Sequence, residues 1–131
     1  MLNKLKEIGF KKVGVWHLNN GKPQLTLHDA TNASDILYCF VVDGIPKYIG
    51  KTTQTLAKRM YGYYNPSSSQ RTNIRNNQNL QRALHEGKQV DLFVLTDKKL
   101  LKLGDFHINI AAGLEDSLIS KLSPEWNLLG K

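Results

Sequence analysis

Between Ile36 and Tyr64 the stretch ILYCFVVDGIPKYIGKTTQTLAKRMYGYY brings Tyr38, Tyr48, Lys51, Arg59 and Tyr63 close together in the chain. These residue types suit work on a phosphate ester. The planar guanidinium of Arg59 can hold a phosphate oxygen and offset the charge that develops on it. A water nucleophile must lose a proton, and with no histidine near the tyrosines in sequence a tyrosinate is the available base. Free tyrosine titrates near pH ~10, too high to serve unaided. Lys51, Arg59 and a bound cation would all favour the phenolate. Tyr38 and Tyr48 are both candidates for that role.

A carboxylate comes from far downstream. At about 100° per residue, Ala111, Leu114, Leu118, Ile119 and Leu122 mark one face of a helix in INIAAGLEDSLISKL, and Glu115 falls inside their arc while Asp116 points away. A carboxylate on an apolar stripe is costly unless it is paired or bound to a cation. Two partners suit Glu115: a divalent metal or Arg59. One carboxylate completed by waters and phosphate oxygens makes hard oxygen ligation, which fits a single Mg²⁺ or Mn²⁺ ion and a one-metal rather than a two-metal phosphodiesterase.

Charge points the same way. From Gly44 to His85 the chain carries Lys47, Lys51, Lys58, Arg59, Arg71, Arg75 and Arg82 and no carboxylate, which accounts for the whole net charge of +7. Tyr61, Tyr63 and Tyr64 are interleaved with those cations. A one-sign segment of this kind suits a polyanion, because each neutralised phosphate releases counterions. Lys47, Lys58, Arg71, Arg75 and Arg82 are the expected contacts to nucleic acid.

The elements that must position these residues can be read in order. The chain of 131 residues is long enough for one domain with its own core. LNKLKEI at residues 2–8 gives one or two helical turns, stopped by Gly9. KKVGVWHL and PQLTLHD alternate apolar with polar residues around Asn20-Gly21, predicting an N-terminal hairpin. ILYCFVV and IPKYIG around Asp43-Gly44 predict a second. A helix follows, capped by Thr52 or Thr53, with Arg59 and Tyr63 four apart on one face. Residues 65–79 read as a polar loop leading into a helix from about Asn73 to Glu86, stopped by Gly87. VDLFVLT reads as a central strand, Asp97 to Phe106 as a short helix or turn, and His107 to Leu122 as the last helix. Trp16 and Trp126 are expected in the core. Cys39, the only cysteine, excludes an internal disulfide and fits a reducing cytoplasm. No stretch approaches the roughly 20 apolar residues of a membrane span, and residues 1–12 do not read as a signal peptide.

These residues together resemble the GIY-YIG nuclease family. Ile36-Leu37-Tyr38 stands where the first tripeptide is named, and Tyr48-Ile49-Gly50 matches the second in full. Lys51, Arg59 and Tyr63 follow in family order. Glu115 and, twelve residues on, Asn127 in PEWN stand where the family has its metal carboxylate and a late asparagine. The resemblance covers Ile36 to Asn127. It implies a metal-dependent DNA endonuclease leaving a 5′ phosphate and a 3′ hydroxyl, with Glu115 as metal ligand. It also implies roles for Tyr38, Tyr48, Lys51, Arg59 and Tyr63 in catalysis, and for Gly50 and Asn127 in support of the site. Tyr63 would orient phosphate or water, Gly50 would turn the chain tightly and keep phosphate approach open, and Asn127 would bond backbone.

The expected class is α/β (α+β), a GIY-YIG-like domain over residues 35–131. Its small central three-stranded mixed sheet is flanked by helices and extended by the hairpin of residues 1–34. Specificity would come from that hairpin, the 65–79 loop, a homodimer or a separate recognition protein, in an enzyme of restriction or mobile-element type. The competing expectation is a nucleic-acid-binding module of the same fold that does not turn over.

Overall fold

The computed structural model describes residues 1–97 and 101–128. Two turn dipeptides set its sheet. Asn20 and Gly21 sit at φ 54° and 78°, and Asp43 and Gly44 at 47° and 80°. Two consecutive positive φ values match the twist of a two-residue hairpin turn. The first turn joins β1 (Lys11–Asn19) to β2 (Lys22–Leu27), and the second joins β3 (Ile36–Val42) to β4 (Ile45–Thr52). Ahead of them α1 spans Leu2–Glu7, and Gly9 follows at φ 115°.

The chain leaves β4 through α2 (Leu56–Tyr64) and α3 (Arg71–His85), then returns as β5 (Val90–Thr96) between the two hairpins. The result is a five-stranded sheet of order β2-β1-β5-β3-β4 in which every neighbouring pair is antiparallel. The expected three-stranded mixed sheet is corrected on both counts. The N-terminal hairpin is part of the central sheet, because β1 pairs with β5 from Lys11↔Val94 to Trp16↔Val90. The crossover passes over β3, so β5 runs parallel to β4 without touching it. The α+β class holds.

All seven residues of β3 are buried, since both faces of the sheet are covered there. On one face Ile36, Tyr38, Phe40 and Val42 pack with Trp16, Leu56, Met60, Tyr63, Leu80 and Trp126, under α2 and α3. On the other, Leu37, Cys39 and Val41 pack with Leu5, Phe10, Ile49 and Ala111, under α1 and α4 (Ile110–Leu122). Trp16 and Phe40 meet edge to face at 5.8 Å. Ile36 therefore fills core volume that a glycine at this position would leave empty.

Several boundaries differ from expectation. The cap of α2 is Thr55, whose side chain accepts from the Lys58 amide, while the Thr52 hydroxyl accepts from the Gln54 amide. Helix α3 begins at Arg71, so much of the expected 65–79 loop is helical. Of the short helix expected over Asp97–Phe106, residues 98–100 lie outside the described residues. The rest forms a small hairpin of β6 (Lys102–Leu103) and β7 (Phe106–His107). Helix α4 starts at Ile110 with Asn109 as its cap, and α5 (Glu125–Leu128) follows after Pro124.

Gly50 lies within β4 opposite Tyr38, not in a turn. A Cβ there would stand 2.6 Å from the Tyr38 Cζ and hydroxyl, so the missing side chain makes room for the phenol rather than for a phosphate. Gly50→Ala is accordingly expected to cost about 1–3 kcal/mol of stability by overpacking. Urea unfolding of the two proteins measures it, and an unchanged midpoint would show that the phenol can shift freely.

Candidate active site

The residues cluster around β4, an edge strand whose neighbours on the two sheet faces are different helices. On the α2 side, the Tyr38 and Tyr63 hydroxyls lie 2.6 Å apart, and Arg59 donates from Nη2 to the Tyr63 hydroxyl at 2.6 Å. The same guanidinium donates from Nη1 to Asn73 Oδ1 at 2.9 Å, and Asn73 donates on to Gln70 Oε1 at 2.9 Å. The Arg59 guanidinium carbon also sits 4.2 Å from the Tyr63 ring centroid, a cation–π contact. Tyr48 packs against this group, with ring centroids 6.3 Å from Tyr38 and 6.5 Å from Tyr63.

These contacts follow from local rules. Arg59 and Tyr63 are neighbours because they are i, i+4 on α2. Tyr38 and Tyr48 share a sheet face because a bulge at Lys47 shifts the pairing between Phe40↔Tyr48 and Val41↔Pro46. Asn77 donates to the Tyr63 carbonyl at 2.7 Å, tying α3 to the end of α2.

Tyr38 and Tyr63 are 1% and 0% exposed. Burial pushes both phenols well above the ordinary tyrosine range, and the nearby Arg59 charge only partly opposes it. For Tyr38 the lowering expected from nearby cations is therefore outweighed by burial. Tyr48 is half-buried.

On the α4 side, Glu115 pairs with Lys51 at 3.7 Å. Arg59, the expected protein partner, is instead engaged by Tyr63 and Asn73; this too is a correction. Lys51 can take Glu115 because side chains alternate along β4, sending Lys51 to the α4 face and Tyr48 and Gly50 to the tyrosine face. The Glu115 side chain is 17% exposed. Desolvation raises its carboxyl above the ordinary value, opposed by Lys51 and reinforced by Asp116.

Asn127 on α5 clamps the strand between the two groups. It accepts from the Ile49 amide and donates to the Ile49 carbonyl, both at 2.8 Å. Those are the backbone groups that an edge strand would otherwise leave open.

A cleft of about 510 Å³ runs past Lys51, Thr52, Gln54, Arg59 and Asn109. A second, of about 350 Å³, is lined by Gln54, Arg59, Gln70, Arg71 and Asn73. They share Gln54 and Arg59, so the cleft of Lys51, which Asp35 also lines, and the cleft of Arg71 adjoin at Arg59. Of the other expected nucleic-acid contacts, Lys58 and Arg82 are exposed. Lys47 is tied to Glu125 at 2.5 Å. Arg75 is half-buried, with its Nε enclosed and unpartnered.

Asn73, Gln70 and Gln54 were not anticipated. Asn73, Asn76 and Asn77 are buried on α3 with Leu80 and Ala83, at the 3.6-residue spacing of a core-facing stripe. The signal lay in that spacing, hidden because the stripe is written in asparagine.

Among the described residues no three His, Cys, Asp or Glu side chains gather as a metal site. A single divalent ion nevertheless fits the donor set. Glu115 is a partly desolvated carboxylate held only loosely by Lys51, and Mg²⁺ accepts one carboxylate while keeping waters and phosphate oxygens.

The fold is one shared by endonucleases. A mutant of bacteriophage T4 EndoII matches with a TM-score of 0.74 and 23% identity, over 98% of this chain and 98% of that one. Restriction endonuclease Hpy188I, solved with product DNA, matches with a TM-score of 0.55 and 20% identity, over 91% of this chain and 76% of that one. No protein-family model matches the chain, and no curated protein sequence does.

Two outcomes are expected. Tyr63→Phe removes the acceptor for Arg59 and the partner of the buried Tyr38 hydroxyl, and should cost about 1–3 kcal/mol in chemical denaturation. For Glu115, a raised native pKa means that the folded state holds its proton longer than the unfolded chain. Stability is therefore lost as pH rises through the carboxylate range. Without divalent metal, Glu115→Gln should melt higher than the parent at neutral pH and level with it in acid; a lower melting temperature at neutral pH would contradict this.

Proposed function

We propose that the protein is a GIY-YIG-type, metal-dependent DNA endonuclease that hydrolyses phosphodiesters with water as nucleophile. The observation that carries this reading is the arrangement of Arg59: a guanidinium fixed by Tyr63 and Asn73 at the junction of two clefts, with Lys51 and Arg71 on either side. The endonuclease fold and the seven-cation segment support it.

The groove cations hold the DNA backbone, and Arg59 takes a non-bridging oxygen of the scissile phosphate. Because its donors are already oriented, little reorganisation is needed as charge grows on that oxygen. The proton of the attacking water goes to the Tyr48 oxygen. Tyr48 is the half-buried member of the tyrosine group, whereas the Tyr38 hydroxyl is buried against Tyr63 and held neutral. Tyr38 and Tyr63 then serve as the buried pair that fixes Arg59. Glu115 is the protein ligand for one Mg²⁺ or Mn²⁺. When bound, that ion supplies Lewis-acid polarisation of the phosphate and stabilises the departing 3′ oxygen. Asn127 holds β4 in register with both groups. The products are a 5′ phosphate and a 3′ hydroxyl.

Supercoiled DNA incubated with Mg²⁺, with Mn²⁺ or with EDTA, and read on a gel, tests the proposal. The parent should nick or linearise DNA only with metal, and Glu115→Ala and Arg59→Ala should lose at least about 100-fold in rate. Tyr48→Phe should lose more rate than Tyr38→Phe. Metal-independent binding with no cleavage would make the protein a nucleic-acid-binding module. The reverse order of the two tyrosine variants would move the base to Tyr38.

A further inference from the structure

We propose that the apolar face of the β6–β7 hairpin is a surface on which two copies of this chain associate. The inference goes beyond the nuclease reading and does not depend on it. The hairpin pairs Leu103 with Phe106 and Lys102 with His107, and the Ile108 amide donates to the Leu101 carbonyl at 2.9 Å, which adds a third pair. Residues opposite each other, and residues two apart along a strand, share a face. Leu101, Leu103, Phe106 and Ile108 therefore form one face, and Lys102 and His107 the other.

That hairpin is amphipathic the wrong way round for a monomer. His107 Nε2 lies 2.6 Å from Asp97 Oδ2, and the Asp97 side chain, directly after β5, is only 5% exposed. The polar face is thus the one tied to the body of the protein. The four apolar residues are 52%, 75%, 79% and 43% exposed in chain order. A two-stranded hairpin is marginal in water until something packs on its apolar face. No described part of this chain buries any of the four.

Chemistry selects a second copy as the occupant. The face carries no charge and no side-chain donor, so it has nothing to offer a phosphate, and the hairpin's described cation, Lys102, stands on the other side. The cations that suit DNA lie between Gly44 and His85, on other elements. An apolar face is complementary to its own copy, and a two-fold axis lets the same four residues meet from both sides. Exposures of this size leave on the order of 400–500 Å² of apolar surface per copy. Two copies would bury about 800–1,000 Å², which belongs to weak, reversible interfaces rather than obligate ones. Each chain also brings a net charge of +7, so electrostatic repulsion opposes the contact and salt should strengthen it.

Sedimentation velocity in EDTA and without DNA tests this independently of cleavage. Over about 5 to 500 μM the parent should pass from monomer to dimer. Its association constant should rise roughly two- to fivefold between about 50 and 500 mM salt, the opposite of DNA binding. Leu103→Ser combined with Phe106→Ser should weaken association at least about tenfold. The melting temperature of the diluted protein should stay unchanged in that variant, because neither side chain is buried. Lys102→Ser, on the opposite face, should not weaken the dimer. A parent that stays monomeric, a dimer that survives the double variant, or one that weakens with salt would overturn the proposal. With a monomeric parent, loss of DNA affinity in the double variant would assign the face to DNA instead. Nicking by the diluted proteins with Mg²⁺ reports separately on the nuclease reading.

Discussion

The molecule is organised around one charge held against buried phenols. Arg59 reaches into a region where Tyr38 and Tyr63 are almost fully enclosed, and it is stabilised there by a hydrogen bond to Tyr63, a second to Asn73 and the face of the Tyr63 ring. A guanidinium placed beside apolar surface without such contacts would be costly. The surroundings answer that need at each step. Gly50 gives the Tyr38 ring its space, and a Cβ at Gly62 would stand 3.1 Å from the Asn73 amide nitrogen. Asn77 fixes the backbone that carries Tyr63. The same network that satisfies Arg59 also holds its planar fork in one orientation.

The edge strand β4 carries the two groups of candidate residues on opposite faces of the sheet. Alternation sends Tyr48 to the helix α2 face and Lys51 to the helix α4 face, so the tyrosine–arginine network and the Glu115–Lys51 pair cannot share a face. An exposed edge is a liability for aggregation. Here Asn127 takes both backbone groups of Ile49, and Pro46 removes a donor further along the strand. The edge is thereby closed to strand pairing at Ile49.

The legible parts of the sequence were those governed by local geometry. The Asn20-Gly21 and Asp43-Gly44 turns, the pairing of Arg59 with Tyr63 and the placement of Glu115 on the buried side of its helix each depend on a few neighbouring residues. The asparagine-rich run around Asn73 falls where the polar 65–79 stretch and the helix from about Asn73 overlap, and polar residues with little apolar company give the start of that helix only a weak periodic signal. Its amides are buried on α3 because they have partners that only the fold supplies, Arg59 for Asn73 and the Tyr63 carbonyl for Asn77. The five-stranded sheet escaped for a similar reason. The alternation in β1 says that one face is buried but not which strand lies beside it.

The sequence by itself determined the inventory: two hairpins, a cationic segment, the tyrosines with their lysine and arginine, and a carboxylate on an apolar stripe. Each follows from spacing and residue type, which act over a few residues. Only the tertiary structure decided how that inventory is wired. It gave Glu115 to Lys51 rather than to Arg59, buried Tyr38 and Tyr63 so that their phenols stay neutral, and left Tyr48 partly open. Those outcomes depend on which faces of distant elements meet and how much water remains between them, and no local pattern encodes either.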